Sequence, residues 1–119
     1  MNIEDILGEY FITGTNQDDT SNSYSGTLKL SIDSNKRVLA NWVINNHQTQ
    51  IGSGFLKDNI LEINFRYEDE DSKTHKGVVV YKCLTKDLLD GFWFEEFGNP
   101  EYLGSERCFR VNTSQELLD

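Results

Sequence analysis

Apolar and polar residues alternate along most of this chain with a period of two. The alternation is clearest from residue 24 to residue 32, where one face is apolar or glycine and the other carries serine, threonine and lysine. Such alternation is typical of a β-strand with one buried face and one solvated face. The pattern predicts eight strands: 9–15, 24–32, 38–44, 48–56, 61–67, 77–84, 88–94 and 102–111.

Short polar segments separate these strands, and none is long enough to hold a crossover helix. The pair Asn45-Asn46 suits a tight turn, because asparagine tolerates a positive φ. Helical structure is expected only as a short lead-in over 3–7 and as a turn in the tail over 113–119. Hairpin links between successive strands favour an up-and-down meander, and eight such strands close into a barrel. We therefore predict an all-β fold, an eight-stranded up-and-down antiparallel β-barrel, with residues 1–119 as one domain.

Two of the predicted strands carry a less simple pattern. In the fourth strand Ile51 and Phe55 lie on one face and Gly52, Gly54 and Leu56 on the other, so its inward face stays undecided. The segment 88–94 is apolar on both faces, which predicts a strand covered, at least in part, on both sides.

The charge balance excludes several classes of partner. Twenty acidic residues against eleven basic ones give a net charge of −9. We expect no nucleic-acid partner, because phosphate binding requires clustered lysine and arginine, and no association with anionic membranes. An acidic surface favours solubility and a basic partner. No apolar run reaches the roughly 18 residues of a membrane span, and the first residues lack the features of a secretory signal, which points to the cytoplasm.

Neither the cysteines nor the histidines form a metal site. Cys83 and Cys108 lie on strands with one strand between them, roughly 9–10 Å apart, which predicts two reduced, buried thiols. His47 and His75 fall in predicted turns and give no zinc spacing. The acidic loop 68–71 lacks the glycine and the closing glutamate of a calcium loop, so we interpret it as solvated. No metal and no cofactor is predicted.

The inward faces of the predicted strands carry aromatic residues with polar tips. Such side chains either fill the interior of a small barrel completely or line a cup for one small ligand. Both alternatives remain open from the sequence. The row consists of Tyr10, Tyr24, Trp42, Tyr67, Tyr81, Trp93 and Glu106.

Glu106 is the most informative single residue of this row. A buried carboxylate needs a partner, and Arg110 shares its face of the last strand. A structural ion pair with Arg110 or a hydrogen bond from a tyrosine is favoured over catalysis. The chain has no Gly-x-Ser-x-Gly elbow and no glycine-rich phosphate loop before a helix. We therefore expect a protein that is not an enzyme.

Short motifs resemble the calycin group of lipocalin-like and avidin-like barrels. These barrels often carry Gly-x-Trp on the first strand, packed against an arginine or lysine of the last strand. The chain has Gly8-Glu9-Tyr10, with tyrosine in place of tryptophan, and Arg110 or Arg107 on its last strand. Further segments resemble small bacterial barrel proteins: 24–26, 52–54 and 89–93. The resemblance implies a lipocalin-like fold with a central cup, and no particular ligand.

The sequence thus predicts a non-enzymatic binding protein whose cup takes a small, partly apolar or aromatic ligand. The alternative is an acidic interaction module, similar to immunity or inhibitor proteins, that uses its outer surface or the loop 68–71 against a basic protein partner. The residues predicted to bind the ligand are Tyr24, Trp42, Tyr67, Tyr81, Trp93, Glu106 and Arg110.

Overall fold

The protein is a closed barrel of eight antiparallel strands with one short helix. The computed structural model describes residues 1–20 and 22–112, so the predicted turn of helix over 113–119 lies outside the described residues. Each strand pairs with its neighbour in sequence, and β8 pairs with β1 to close the barrel, which confirms the predicted fold class. The elements are α1 (Ile3–Ile6), β1 (Gly8–Thr15), β2 (Ser23–Ile32), β3 (Val38–Ile44), β4 (Gln48–Lys57), β5 (Ile60–Glu68), β6 (Thr74–Thr85), β7 (Leu88–Glu95) and β8 (Gly104–Arg110).

The period of two in the sequence corresponds to the inside and outside of the barrel. Along β3, for example, Val38, Ala40 and Trp42 are buried while the residues between them are exposed. The inward aromatic row is confirmed, because its tyrosines, tryptophans and Glu106 all lie on the inner surface. The buried apolar core consists of Ile6, Tyr10, Ile12, Leu28, Leu30, Val38, Ala40, Trp42, Leu61, Ile63, Phe65, Val79, Tyr81, Cys83, Leu89 and Cys108.

The inward face of β4 is the one that carries its glycines. Gly52 and Gly54 pair with Phe65 and Ile63 of β5, whose side chains occupy the interior beside them. Ile51 and Phe55 point outward and are exposed. The larger apolar side chains of this strand thus lie on the outside, which is why hydrophobicity alone did not fix its phase.

The outer face of the segment 88–94 is covered only in part, as the prediction allows. On β7 the inner face is packed, but Phe92 and Phe94 point outward and are 45% and 42% exposed. The sheet forms a single layer, and no described element packs on its outer surface. The outer face of a barrel strand therefore meets solvent even when it is apolar.

Most strand boundaries agree with the prediction within one residue, and two differ by more. β6 begins at Thr74, three residues earlier than expected, so His75 lies in a strand and pairs with Tyr67 rather than lying in a turn. β8 begins at Gly104 and not at residue 102. The predicted turn at Asn45-Asn46 is confirmed, with φ values of 52° and 66°.

The barrel has a closed end and an open end. The closed end consists of α1, the turns after β2, β4 and β6, and the last residues of β8. There Ile6 of α1 is fully buried, and the Tyr10 hydroxyl donates a hydrogen bond to its carbonyl at 2.7 Å. The open end consists of the connections that follow β1, β3, β5 and β7. Among the described residues, no helix is long and apolar enough to cross a bilayer.

Candidate ligand-binding pocket

A cavity of about 230 Å³ enters the barrel from its open end. The interior is therefore not completely filled by side chains. Aromatic side chains and Glu106 form the deeper walls, while amide side chains and Glu95 lie near the mouth. The lining residues are Asn16, Ser23, Tyr24, Trp42, Ile44, Asn45, Gln48, Gln50, Phe65, Tyr67, Val79, Tyr81, Trp93, Glu95 and Glu106.

Glu106 of β8 lies deep in the pocket, is 5% exposed and receives hydrogen bonds from two hydroxyls, one indole and the Cys108 thiol. The Tyr24 hydroxyl donates to its Oε1 at 2.7 Å. Its Oε2 accepts a short hydrogen bond from the Tyr81 hydroxyl and another, at 3.2 Å, from the Trp42 indole N–H. The predicted tyrosine–glutamate hydrogen bond is thus present, and it is formed twice.

Strand register explains how two tyrosines reach the same carboxylate. Glu106 pairs with Gly14 of β1 on one side and with Gly91 of β7 on the other. Tyr24 pairs with Gly14 from β2, and Tyr81 pairs with Gly91 from β6. Because each glycine lacks a side chain, the tyrosine beyond it leans across that position to Glu106, and a Cβ at Gly14 would overlap the Tyr24 hydroxyl.

Burial raises the pKa of Glu106, and the hydrogen bonds from Tyr81, Tyr24 and Trp42 oppose that rise by stabilising the carboxylate. Burial also raises the pKa of Tyr81 and of Tyr24, and the neighbouring Glu106 carboxylate raises both further. The two phenols therefore stay protonated and act as hydrogen-bond donors.

Two more aromatic walls are placed by the same pairing of aromatic residue and glycine. Phe65 packs over Gly77, and the Trp93 indole packs over Gly104, each pair lying directly opposite on adjacent strands. Phe65 meets Trp42 and Trp93 edge to face, with ring centroids 6.1 and 6.2 Å apart. Among the described residues the buried Trp93 indole N–H has no hydrogen-bond acceptor, so Trp93 brings both apolar ring surface and an unpaired donor to the pocket lining.

A second polar cluster lies at the mouth. The Tyr67 hydroxyl donates to both oxygens of Glu95, at 2.6 and 2.9 Å. His75 stacks on the Tyr67 ring with centroids 4.9 Å apart, and its Nε2 lies 2.8 Å from Oδ2 of Asp69. Asp69 also accepts the backbone N–H groups of residues 71 and 73, so it closes the turn between β5 and β6.

Six of the seven residues predicted to bind the ligand line this pocket: Tyr24, Trp42, Tyr67, Tyr81, Trp93 and Glu106. The seventh, Arg110, lies at the closed end and makes no ion pair with Glu106. Four residues along a strand span about 13 Å, so a shared face does not bring the two side chains together.

Arg110 instead ties the closed end together. Its guanidinium donates to the carbonyls of Leu7, Asp5 and Lys86, each at 2.7 Å, and to Oδ1 of Asp87 at 3.0 Å. It also stacks over the Tyr10 ring at 4.8 Å. The contact between a first-strand aromatic residue and a last-strand arginine therefore occurs here, between Tyr10 and Arg110.

Sequence reasoning missed several lining residues. Glu95 follows Trp93 by two positions, so the period of two would have placed it on the inner face. Phe65 shares the inner face of its strand with Tyr67, so the same period would have placed it in the lining. Gln48 and Gln50 depended on the undecided phase of β4.

Neither thiol is among the described residues that line the pocket. Cys83 and Cys108 are free and buried, in agreement with the prediction, and burial raises the pKa of both. Cys108 Sγ lies 4.0 Å from Oε2 of Glu106, behind the carboxylate.

Comparison with known proteins identifies the fold and no family. No protein-family model matches the chain, and no curated protein matches it. A solved redesigned β-barrel has a TM-score of 0.72 at 13% identity, over 92% of this chain and 95% of its own. The redesigned β-barrel mFAP1, solved bound to DFHBI, has a TM-score of 0.69 at 16% identity, over 91% of this chain and 97% of its own. Another, mFAP0, also bound to DFHBI, has a TM-score of 0.67 at 16% identity, over 89% and 99%.

Proposed function

We propose that this protein is a non-enzymatic binding barrel that holds a small, partly apolar ligand in its open-end pocket. The observation that carries the proposal is the cavity of about 230 Å³, walled by aromatic rings around a buried carboxylate. Concave sites of mainly apolar character with a few convergent polar groups are the usual form of small-molecule sites.

The volume limits the size of the ligand. An apolar cavity of about 150 Å³ accepts benzene, so the larger cavity here has room for a single substituted ring or a compact bicyclic compound. The barrels mFAP0 and mFAP1 were solved with DFHBI bound. Because they resemble this chain in fold alone, they support a ligand-holding barrel without indicating what this one holds.

The contact between Tyr10 and Arg110 supports a place among the calycins. It joins the first and last strands at the closed end, where calycin barrels have the corresponding aromatic–basic contact. We include calycin membership in the proposal on this basis.

The alternative, an acidic interaction module, has weaker support. The net charge of −9 is compatible with a basic partner, but that hypothesis gives no reason for the cavity or for its buried carboxylate. A solid interior would have favoured it.

Native mass spectrometry of the freshly purified protein tests the proposal. We expect a co-purified small molecule that is released when the protein is denatured. In parallel, small aromatic compounds such as DFHBI should change the tryptophan fluorescence saturably, because both tryptophans of the chain line the pocket.

Two variants of β4 provide a matched control. Gln50→Trp places an indole in the mouth of the pocket and should abolish the bound mass and the fluorescence response. Thr49→Trp places the same side chain on the outer face of the same strand and should leave binding intact. No bound mass, together with a fluorescence signal that stays flat across the panel, would refute the binding function.

A further inference from the structure

The pocket carries negative charge and no base. Glu106 and Glu95 both line it, and no lysine, arginine or histidine is among its described lining residues. An anionic ligand would meet two carboxylates at close range in a partly desolvated site, where charge interactions are stronger than in water. The lining therefore disfavours acids and favours groups that donate hydrogen bonds or carry positive charge.

Glu106 has hydrogen-bond donors but no counter-ion. Its donors are two phenols, one indole and the Cys108 thiol, all of them neutral, and no described basic side chain forms a salt bridge with it. A buried carboxylate without a counter-ion is costly. Burial accordingly raises the pKa of Glu106.

One of the two carboxylate oxygens retains room for a further donor. Oε2 accepts from both Tyr81 and Trp42, whereas Oε1 accepts a side-chain hydrogen bond from Tyr24 alone. A carboxylate offers about four acceptor sites in all. The hydrogen bonds thus leave one acceptor site on Oε1 of a residue that lines the cavity.

The remaining walls suit a cation with an apolar body. Trp42, Phe65 and Trp93 form a run of edge-to-face contacts around the cavity. Aromatic faces attract ammonium groups, and they also pack against the apolar part of a ligand.

We propose that the occupant is a small organic amine, protonated at neutral pH, whose ammonium group binds Oε1 of Glu106 while its apolar part packs against Trp42, Phe65 and Trp93. Glu95 at the mouth adds a second negative charge that attracts the cation on entry. This inference rests on the binding function proposed above and specifies the chemistry of its ligand.

Three probes of similar shape and different charge test the inference on the unaltered protein. Binding of 2-phenylethylamine, 2-phenylethanol and 3-phenylpropanoate is measured by calorimetry and by the tryptophan indole N–H signals in NMR. We expect the amine to bind at least about tenfold more tightly than the alcohol, and the carboxylate to show no saturable binding.

Two glutamine variants then show which carboxylate recognises the ammonium group. Glu106→Gln should bring the amine and the alcohol to equal affinity, because the shape of the pocket is kept while the charge is lost. Glu95→Gln should retain most of the preference, with a loss of less than about threefold. If Glu106→Gln does not fold, Glu95→Gln and the probe series on the unaltered protein still decide the matter.

The outcomes separate this inference from the broader function. If the alcohol binds as tightly as the amine, or the carboxylate binds best, the cationic ligand is refuted while a binding barrel stands. If none of the three probes binds, the inference is likewise refuted. The binding function is then tested only by the mass spectrometry described above. If Glu106→Gln folds and keeps the full preference, Glu106 is not the recognition group.

Discussion

Each end of the barrel is organised around one charged residue of β8. The charge at the closed end is compensated by its partners, and the charge at the open end is not. At the closed end Arg110 donates to three backbone carbonyls and forms an ion pair with Asp87. At the open end Glu106 is more deeply buried but receives only neutral donors. The charge that is fully compensated supports the fold, and the uncompensated one remains available to a ligand.

The two ends also differ in packing, because the closed end is filled and the open end is not. The closed end is filled by α1, whose Ile6 is fully buried beside Tyr10. Burial raises the pKa of Tyr10 to about 12, with Arg110 acting to lower it, so this phenol stays protonated and hydrogen-bonded. At the open end no described helix covers the barrel, and the cavity enters there.

Replacing Arg110 is expected to give the largest loss of stability. Arg110→Ala removes hydrogen bonds from a charged donor to five described acceptors, and we expect unfolding in urea to require about 3–4 kcal/mol less. Arg107→Ala is the matched control, because Arg107 lies on the same strand in an exposed pair with Asp90 and should cost at most about 1 kcal/mol. Equal losses in the two variants would show that Arg110 does not hold the closed end together.

The next largest effect should come from replacing the glycines over which Tyr24 and Tyr81 pack. In Gly14→Ala the new methyl group overlaps the Tyr24 hydroxyl and a backbone carbonyl, and overpacking of this kind costs about 2 kcal/mol. Tyr24 should also lose its hydrogen bond to Glu106, and ligand binding should weaken. Measured in a Tyr24→Ala background, the same substitution should cost less; an unchanged cost there would mean that Tyr24 does not restrict this position.

Glu106→Gln should change the pH dependence of stability more than stability itself. Because the folded-state pKa of Glu106 is raised above its ordinary value of 4.5, the folded protein binds a proton more readily than the unfolded chain. Its stability therefore increases as pH falls through the folded-state pKa, and the gain is complete below 4.5. The glutamine variant lacks this gain.

Urea unfolding of both proteins at several pH values measures the effect. The free energy of unfolding of the unaltered protein, minus that of Glu106→Gln, should increase from neutral pH down to 4.5. The carboxylates of Asp33 and Asp69, whose pKa values are lowered, are common to both proteins and cancel in the difference. A difference that stays constant or decreases would contradict a raised pKa at Glu106.

The outer face of β7 should give the smallest effect. Phe92 is 45% exposed, so Phe92→Thr should change the free energy of unfolding by at most about 0.5 kcal/mol and leave binding in the pocket unchanged. A loss several times larger would mean that this face is covered by something in the native protein.

The strands and their inward faces could be predicted because a barrel strand has one face in the core and one in solvent. β2, β3 and β5 follow that rule closely. It failed where apolar residues lie outside, as Phe92, Phe94, Ile51 and Phe55 do, because the position of a residue on the wall of a barrel is set by register and not by its own hydrophobicity.

The pocket was predictable in its residue types and not in its geometry. Placing Tyr24 and Tyr81 on Glu106 required the pairings with Gly14 and Gly91, which depend on the register of five consecutive strands. Predicting that Arg110 lies at the closed end required its distance from Glu106 along β8. The face of the strand on which it lies was not sufficient. The hydrophobic period and the composition give neither the register of the strands nor the distance between residues along β8.

The contrast between the two ends is tested most directly by NMR during titration with 2-phenylethylamine. The indole N–H signals of Trp42 and Trp93 report on the open end, and the Arg110 Nε–H signal reports on the closed end. We predict saturable shifts of both indole signals with a single dissociation constant, while the Arg110 signal stays in place. Binding that moves the Arg110 signal and leaves the two indoles unchanged would contradict the account.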